Sequence, residues 1–454
     1  MLEVHSMLRL SLYAATAVSI IAAAPAFSKT ITISIGYQSM CTDTYPAGTV
    51  LKGLGLLQKY LPHTGKYAGV DYHIIWRNYS SGAPITNMMM AGKLDFGTMG
   101  DYPLVVNGSK FQQTSAKRSY LITMTGYNLD GAGNGIVVPA KSKITDVKQL
   151  EGQTISTPIG SSSWGMLYEM AADNHIPFSS FHVVNQSPMA GIAAITAGKI
   201  AAHADFCPIS ELMEYKQVGK LIYSGMATHV PYLHGAVVTA SFADKYPAIV
   251  VAYDKAVIDA DRWISSNPYQ ASKMIAKWTM VPKEVLYLYF SHGGYLTMDP
   301  KITQKWIKTL QYDHQILAKN AGIPALNFNE WVNPKYQEIA YKQLGLKYGS
   351  AHKVVYNPKD NINLPPEIWV QGGGIQKYGS VGSMLMAAKA DIKAHKKINA
   401  TYVYDHTTGL KLFGNYAYYV KMGHEYTAFM TAAGAKSNAH GAPVYSYQQI
   451  ISTI

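Results

Sequence analysis

Two short apolar strands, each entered through glycine and about 100 residues apart, constrain this chain more than any other feature. The first is GNGIVVPA, from Gly133 to Ala140, and the second is HGAVVTA, from His234 to Ala240. The segment between them reads as a complete α/β unit, and further α/β elements surround it. A chain that leaves one lobe, builds another and returns by a matching strand makes two lobes joined at a hinge. Gly135 and Gly235 are the expected pivots. Hinged lobes of this kind close on small ligands held between them. The pattern favours a receptor or transporter subunit over an enzyme. No catalytic constellation accompanies it: Gly-x-Ser-x-Gly, His-Glu-x-x-His, P-loop and dinucleotide glycine patterns are all absent.

A length of 454 residues allows two to three domains. Residues 1–28 read as a secretory signal: Arg9, an apolar run from Leu10 to Ala24, then Ala26-Phe27-Ser28 as a small-x-small cleavage site. The run is short of the ~20 residues that span a bilayer. Residues 29–134 and 235–348 are expected to form the first lobe with its C-terminal helices, and 135–234 the second lobe. Strands alternating with helices predict mainly parallel sheets. A linker over 349–366 carries Pro358, Pro365 and Pro366. It leads to a small β-rich or α+β module over 367–454.

The formal net charge of +12 does not indicate nucleic acid. Lysines are scattered, no Lys/Arg run exists, and only Arg77, Arg118 and Arg262 follow the signal. Two cysteines, Cys41 and Cys207, exclude a disulfide scaffold.

Three stretches resemble the periplasmic solute-binding proteins of ABC importers in the nitrate, sulfonate and taurine class, which also holds thiamine-precursor receptors. They are SSGAPITNMMMAGKLDFGTMGDYPLV, GNGIVVPAKSKITDVKQLEGQTISTPIGSSSWGMLYEM and SPMAGIAAITAGKIAAHADFCP, within Lys29 to Gly345. The resemblance implies an α/β, type II periplasmic-binding-protein fold of two lobes, here with an appended C-terminal α+β module. It implies a periplasmic receptor that closes on a small solute and is read by an inner-membrane permease. A monomer is expected, and the missing catalytic motifs predict no enzymatic activity, although some relatives with this fold turn their own active-site residues into product. From Ala400 to Ser446 the tail is faintly similar to NosL-type copper-binding proteins, although their Cys-Gly-Met has no counterpart here. This implies an alternative role in periplasmic copper delivery. No cofactor is required on the first reading; copper is the cofactor on the second.

Ligand loops in such folds sit at the C-terminal ends of strands, where helix N-termini offer free N–H groups. The expected ligand residues are Gln38, Cys41, Ser81, Gly82, Asp101, Tyr102, Ser161, Ser162, Ser163, Trp164 and Cys207. Each serine serves equally as a helix cap. Asp101 disfavours an anion and suits a ligand with a cationic or hydrogen-bond-donating group. Cys41 and Cys207 are either a soft-metal site with Met40 and Met99 or two unrelated wall residues; a lasting disulfide would pin the lobes. In the tail, Met422, His424, Met430 and His440 offer thioether and imidazole donors to Cu(I).

Overall fold

The computed structural model describes residues 29–114, 118–350 and 358–453. The expected secretory signal over 1–28 and residues 351–357 of the expected linker lie outside them. In chain order the first elements are β1 (Thr30–Tyr37), α1 (Thr49–Leu54), α2 (Leu56–Tyr60), β2 (Asp71–Asn78), α3 (Gly82–Met90), β3 (Phe96–Gly100), α4 (Asp101–Gln112) and β4 (Ser119–Asn128). The chain then builds β5 (Gly135–Pro139), β6 (Thr154–Thr157), α5 (Ser162–Asp173), β7 (His182–Asn185), α6 (Pro188–Thr196), β8 (Ala202–Asp205), α7 (Ile209–Tyr215) and β9 (Gly219–Ser224). It returns through β10 (Tyr232–Thr239) to seven helices: α8 (Ala240–Lys245), α9 (Pro247–Ser266), α10 (Pro268–Ile275), α11 (Lys283–Phe290), α12 (Gln304–Ala321), α13 (Phe328–Trp331) and α14 (Lys335–Gln343).

Two five-stranded sheets result, ordered β2-β1-β3-β10-β4 and β7-β6-β8-β5-β9. The glycine-entered strands β5 and β10 hold the same place in the two sheets, each being the first strand the chain forms after crossing from the other lobe. Both run antiparallel to their neighbours, whereas β1, β2 and β3, like β6, β7 and β8, are parallel. The sheets are therefore mixed rather than mainly parallel, because each strand that enters from the other lobe arrives from the opposite end.

The crossings also differ from the expected pivots. Gly235 lies inside β10, paired with Met99 and Met124. A Cβ there would come within 2.7 Å of the Thr123 carbonyl oxygen, so close strand packing requires this glycine. The chain passes between the lobes just before each strand, over 129–134 and 225–231. There Gly131 has φ +83, and a Cβ on it would meet the Gly225 oxygen at 2.6 Å. Gly225 in turn donates its N–H to the Asn134 carbonyl at 2.8 Å. Gly135 directly follows this contact.

Local signals place the helices. Ser161 caps α5, Thr303 caps α12, and Pro188 and Pro247 open α6 and α9. Gly55, at φ +64, ends α1 and separates it from α2.

The C-terminal module comprises α15 (Pro358–Asn361), β11 (Glu367–Val370), β12 (Gly374–Lys377), α16 (Val381–Lys393), β13 (Ile398–Tyr404), β14 (Lys411–Phe413), β15 (Tyr418–Met422), β16 (Glu425–Phe429), α17 (Ala432–Asn438), β17 (Val444–Ser446) and α18 (Tyr447–Thr453). Its sheets run β12-β11-β13-β14 and β16-β15-β17. Trp369, Tyr402 and Phe413 join the same apolar core as α11. Buried Lys411 bonds Glu367 at 2.9 Å and Ser291 at 2.7 Å. Phe413 also packs against Tyr215 of α7, with ring centroids 5.7 Å apart, so the module touches both lobes. No helix among the described residues is long and apolar enough to cross a membrane.

Candidate functional site

The lobes are closed on each other, and their contact has two layers. In the outer layer, α4 of the first sheet faces α5 of the second. Ser161 spends its hydroxyl on the Trp164 N–H at 3.3 Å and meets the Ser163 hydroxyl at 2.8 Å. Ser162, free of capping, donates across the cleft to Asp101 Oδ1 at 2.5 Å. Asp101 is itself held by the N–H groups of Tyr102 at 2.7 Å and Leu233 at 3.1 Å. The Tyr102 ring lies where a side chain on α5 would stand: a Cβ at Gly165 would meet it at 2.2 Å. Asp101, Tyr102 and Ser162 line a cavity with Asn134, Glu169 and Asp313, and the closed lobes leave about 10 Å³ of free space in it. That is room for about one water.

This cavity is acidic. Burial pushes Asp101 up to about 6, against hydrogen bonds from Ser162 and Leu233. Burial, reinforced by the Asp101 charge, pushes Glu169 up to about 8. Asp313 is raised by burial and by the same two carboxylates, and both its oxygens lack a hydrogen-bond partner. None of the residues lining the cavity is Lys or Arg. The expectation that Asp101 suits a donor or cation therefore extends to three carboxyl groups.

The inner layer joins the chain after β1 to the chain after β8. Cys41 and Cys207 are 1 % and 0 % exposed, and their Sγ atoms stand 3.3 Å apart as free thiols. His234 on β10 points Nε2 at Cys207 Sγ, 3.6 Å away. Its Nδ1 faces Asp43 Oδ2 at 3.6 Å, and neither atom has a hydrogen-bond partner. Burial lowers His234 to about 3, keeping the imidazole neutral, and raises Asp43 to about 7. The Tyr232 hydroxyl, 3.7 Å from Cys207 Sγ, stands between this layer and the outer cavity, which Tyr232 also lines.

The structure thus brings Asp101, Tyr102 and Ser162 together at the outer cavity, and Cys41 and Cys207 together beneath it. Ser163 bonds Thr157 at 3.2 Å and serves the start of α5 with Ser161. Trp164 packs on Tyr168, and Gln38 donates to the Thr98 carbonyl at 3.0 Å. Ser81 precedes α3 without a capping bond and does not line the cavity; at Gly82 a Cβ would strike Pro103 at 2.3 Å. Met99 turns toward α3, its sulfur accepting from Thr86, and so is no partner of the thiols. His234, Asp43, Glu169 and Asp313 were not foreseen. Each lies in an ordinary helix, strand or turn pattern, and only tertiary packing gives it partners.

The tail donors are not brought together. Met422 pairs with Glu425 at the turn of the β15–β16 hairpin, whereas Phe429, next to Met430, pairs with Tyr418 at the far end. Roughly 14 Å of strand separates these ends. Met422 and His424 are exposed, Met430 packs toward Phe413 and Leu288, and His440 is exposed after α17. This geometry does not gather the four donors on which the copper reading of the tail rests, and so gives that reading no support.

Comparison with known proteins gives a consistent picture. The family described as NMT1/THI5 like matches residues 66–271. The taurine-binding periplasmic protein of Escherichia coli (strain K12) is 30 % identical over 279 residues, covering 58 % of this chain and 82 % of that protein. The alkanesulfonate-binding protein SsuA of Xanthomonas axonopodis pv. citri, solved bound to MOPS, superposes with a TM-score of 0.57 at 19 % identity over 67 % of this chain and 99 % of its own. The periplasmic nitrate-binding protein NrtA of Synechocystis PCC 6803 gives a TM-score of 0.52 at 16 % identity, over 72 % of this chain and 92 % of its own. The two superpositions share the two-lobed fold.

Proposed function

Since the chain belongs to the NMT1/THI5-like family, whose relatives here are periplasmic solute-binding proteins, we propose that it is the solute receptor of an ABC importer and closes its lobes on a small ligand. The observation that carries the reading is the Ser162–Asp101 bond, which ties the two lobes at the mouth of a shared cavity. Open and closed states pre-exist, and the solute favours the closed one. The start of α5 suits an anionic end, and the carboxyl groups of Asp101, Glu169 and Asp313 suit an ammonium or other donor end. An amino-sulfonate such as taurine carries both, and the lobes closed on it would stand further apart than in this structure, where the cavity has room for about one water. The closed lobes are then presented to an inner-membrane permease.

Calorimetric titration of the full chain with taurine tests this. The expected result is binding that weakens in Ser162→Ala by about 1.5–3 kcal/mol, the range for a bond to a charged group. No heat with taurine, or equal affinity in the variant, contradicts it.

A further inference from the structure

Beneath the solute cavity, three metal-binding side chains converge with no assigned role. The ligand atoms of Cys41, Cys207 and His234 all lie within 4.8 Å of one another, and all three residues are buried. An ion at about 2.3 Å from two thiolates and about 2.0–2.1 Å from an imidazole needs donors spaced on this scale. We propose that Cys41, Cys207 and His234 bind one zinc(II) ion, with Asp43 as the outer partner of the imidazole.

The arrangement around His234 points the same way. Nε2 faces the thiols while Nδ1 faces a carboxylate oxygen, and both inner-layer polar atoms on that far side are buried without a hydrogen bond. A metal-bound histidine typically hands its second N–H to a carboxylate, which fixes the ring. The 3.6 Å gap between His234 Nδ1 and Asp43 Oδ2 would close by a few tenths of an ångström as the ring turned toward an ion. Thr42 and Thr125 hold Asp43 in place from its Oδ1 and its carbonyl, at 2.8 and 2.6 Å.

Charge selects a divalent ion. Two thiolates and a neutral imidazole balance zinc(II), whereas a monovalent ion would leave net negative charge in a site with no solvent. Binding releases the two thiol protons to solvent, and no bond is oxidised or reduced. The Tyr232 hydroxyl stands beside the three donors, 3.7 Å from Cys207 Sγ. Cys41 and His234 belong to the first lobe and Cys207 to the second, so a complete donor set exists only when the lobes are closed. Ion uptake and lobe closure are then one equilibrium, and entry requires opening.

The test is zinc titration of the full chain, reduced and without oxygen, against a chromophoric chelator. One ion per chain is expected, and cobalt(II) in its place should show thiolate charge-transfer and tetrahedral d–d bands. Cys41→Ser with Cys207→Ser should abolish both signals. Asp43→Asn keeps every donor and should weaken affinity by about 10–100-fold while the cobalt spectrum stays tetrahedral. Thermal melting confirms that each variant folds. A folded, reduced chain that takes up no zinc overturns the proposal. So does zinc retained by the double cysteine variant, or affinity unchanged in Asp43→Asn. The solute titration above is run with chelator and without zinc, so failure of either reading leaves the other measurable.

Discussion

Single residues set the conditions under which the cleft stays shut. Glu169 on α5 faces Asp101 and Tyr102 on α4, Asp313 and Tyr312 on α12, and Asp173 on its own helix, with no cation among them. Its carboxyl is raised from 4.5 to about 8, and Asp101 is raised to about 6. A carboxyl raised in the closed form is bound there as the acid, so its contribution to closure is complete below about 4.5. The contribution is lost as pH rises toward 8. The solute-free chain should therefore expand between pH 5 and pH 9 by a small increase in scattering radius, and Glu169→Gln should flatten that response. An expansion that Glu169→Gln leaves intact would assign it to other groups. Asp101, Ser162 and Cys41 could be picked out beforehand because each follows a strand end in a loop of ligand-binding type. His234 could not: it reads as the first residue of an apolar strand, and its partner Cys207 is 27 residues away across the lobe boundary. Glu169 likewise reads as the polar face of an amphipathic helix until α12 covers it.

At the scale of elements, periodicity carried most of the order of strands and helices, including the C-terminal helices of the first lobe. Strand direction was not readable in the same way. Alternating β and α patterns do not show that a strand entering from the other lobe inserts between two strands and runs against both, as β5 and β10 do here. The module is a second such case. Lys411 sits within an unremarkable YVYDHTTGLKL segment, yet it is 1 % exposed and bridges Glu367 of β11 to Ser291 after α11. Burial lowers the Lys411 pKa and the Glu367 carboxylate raises it. Removing one partner of such a pair strands the other without water. Lys411→Ala should cost about 3–5 kcal/mol, read as a lowered denaturation midpoint, whereas Lys411→Met with Glu367→Gln should recover much of it. Equal midpoints for wild type and Lys411→Ala would show that this pair does not secure the module.

For the molecule as a whole, the account rests on two lobes that move between open and closed. Closure brings Tyr102 over Gly165, Ser162 to Asp101 and Cys207 to Cys41, three contacts made by residues from opposite sheets. The module spans the same boundary through Phe413 and Tyr215, so it rides on the moving parts rather than beside them. The two glycine crossings at Gly131 and Gly225 pack backbone against backbone. Gly165→Ala acts directly on closure, because a Cβ there would stand 2.2 Å from the Tyr102 ring, which comes from the other lobe and lines the cavity. The most direct measurement is single-molecule energy transfer between one dye on each lobe of the full chain, comparing wild type with Gly165→Ala. The account predicts two distances in wild type, with the short one depleted in the variant. A single distance that Gly165→Ala leaves unchanged would contradict it.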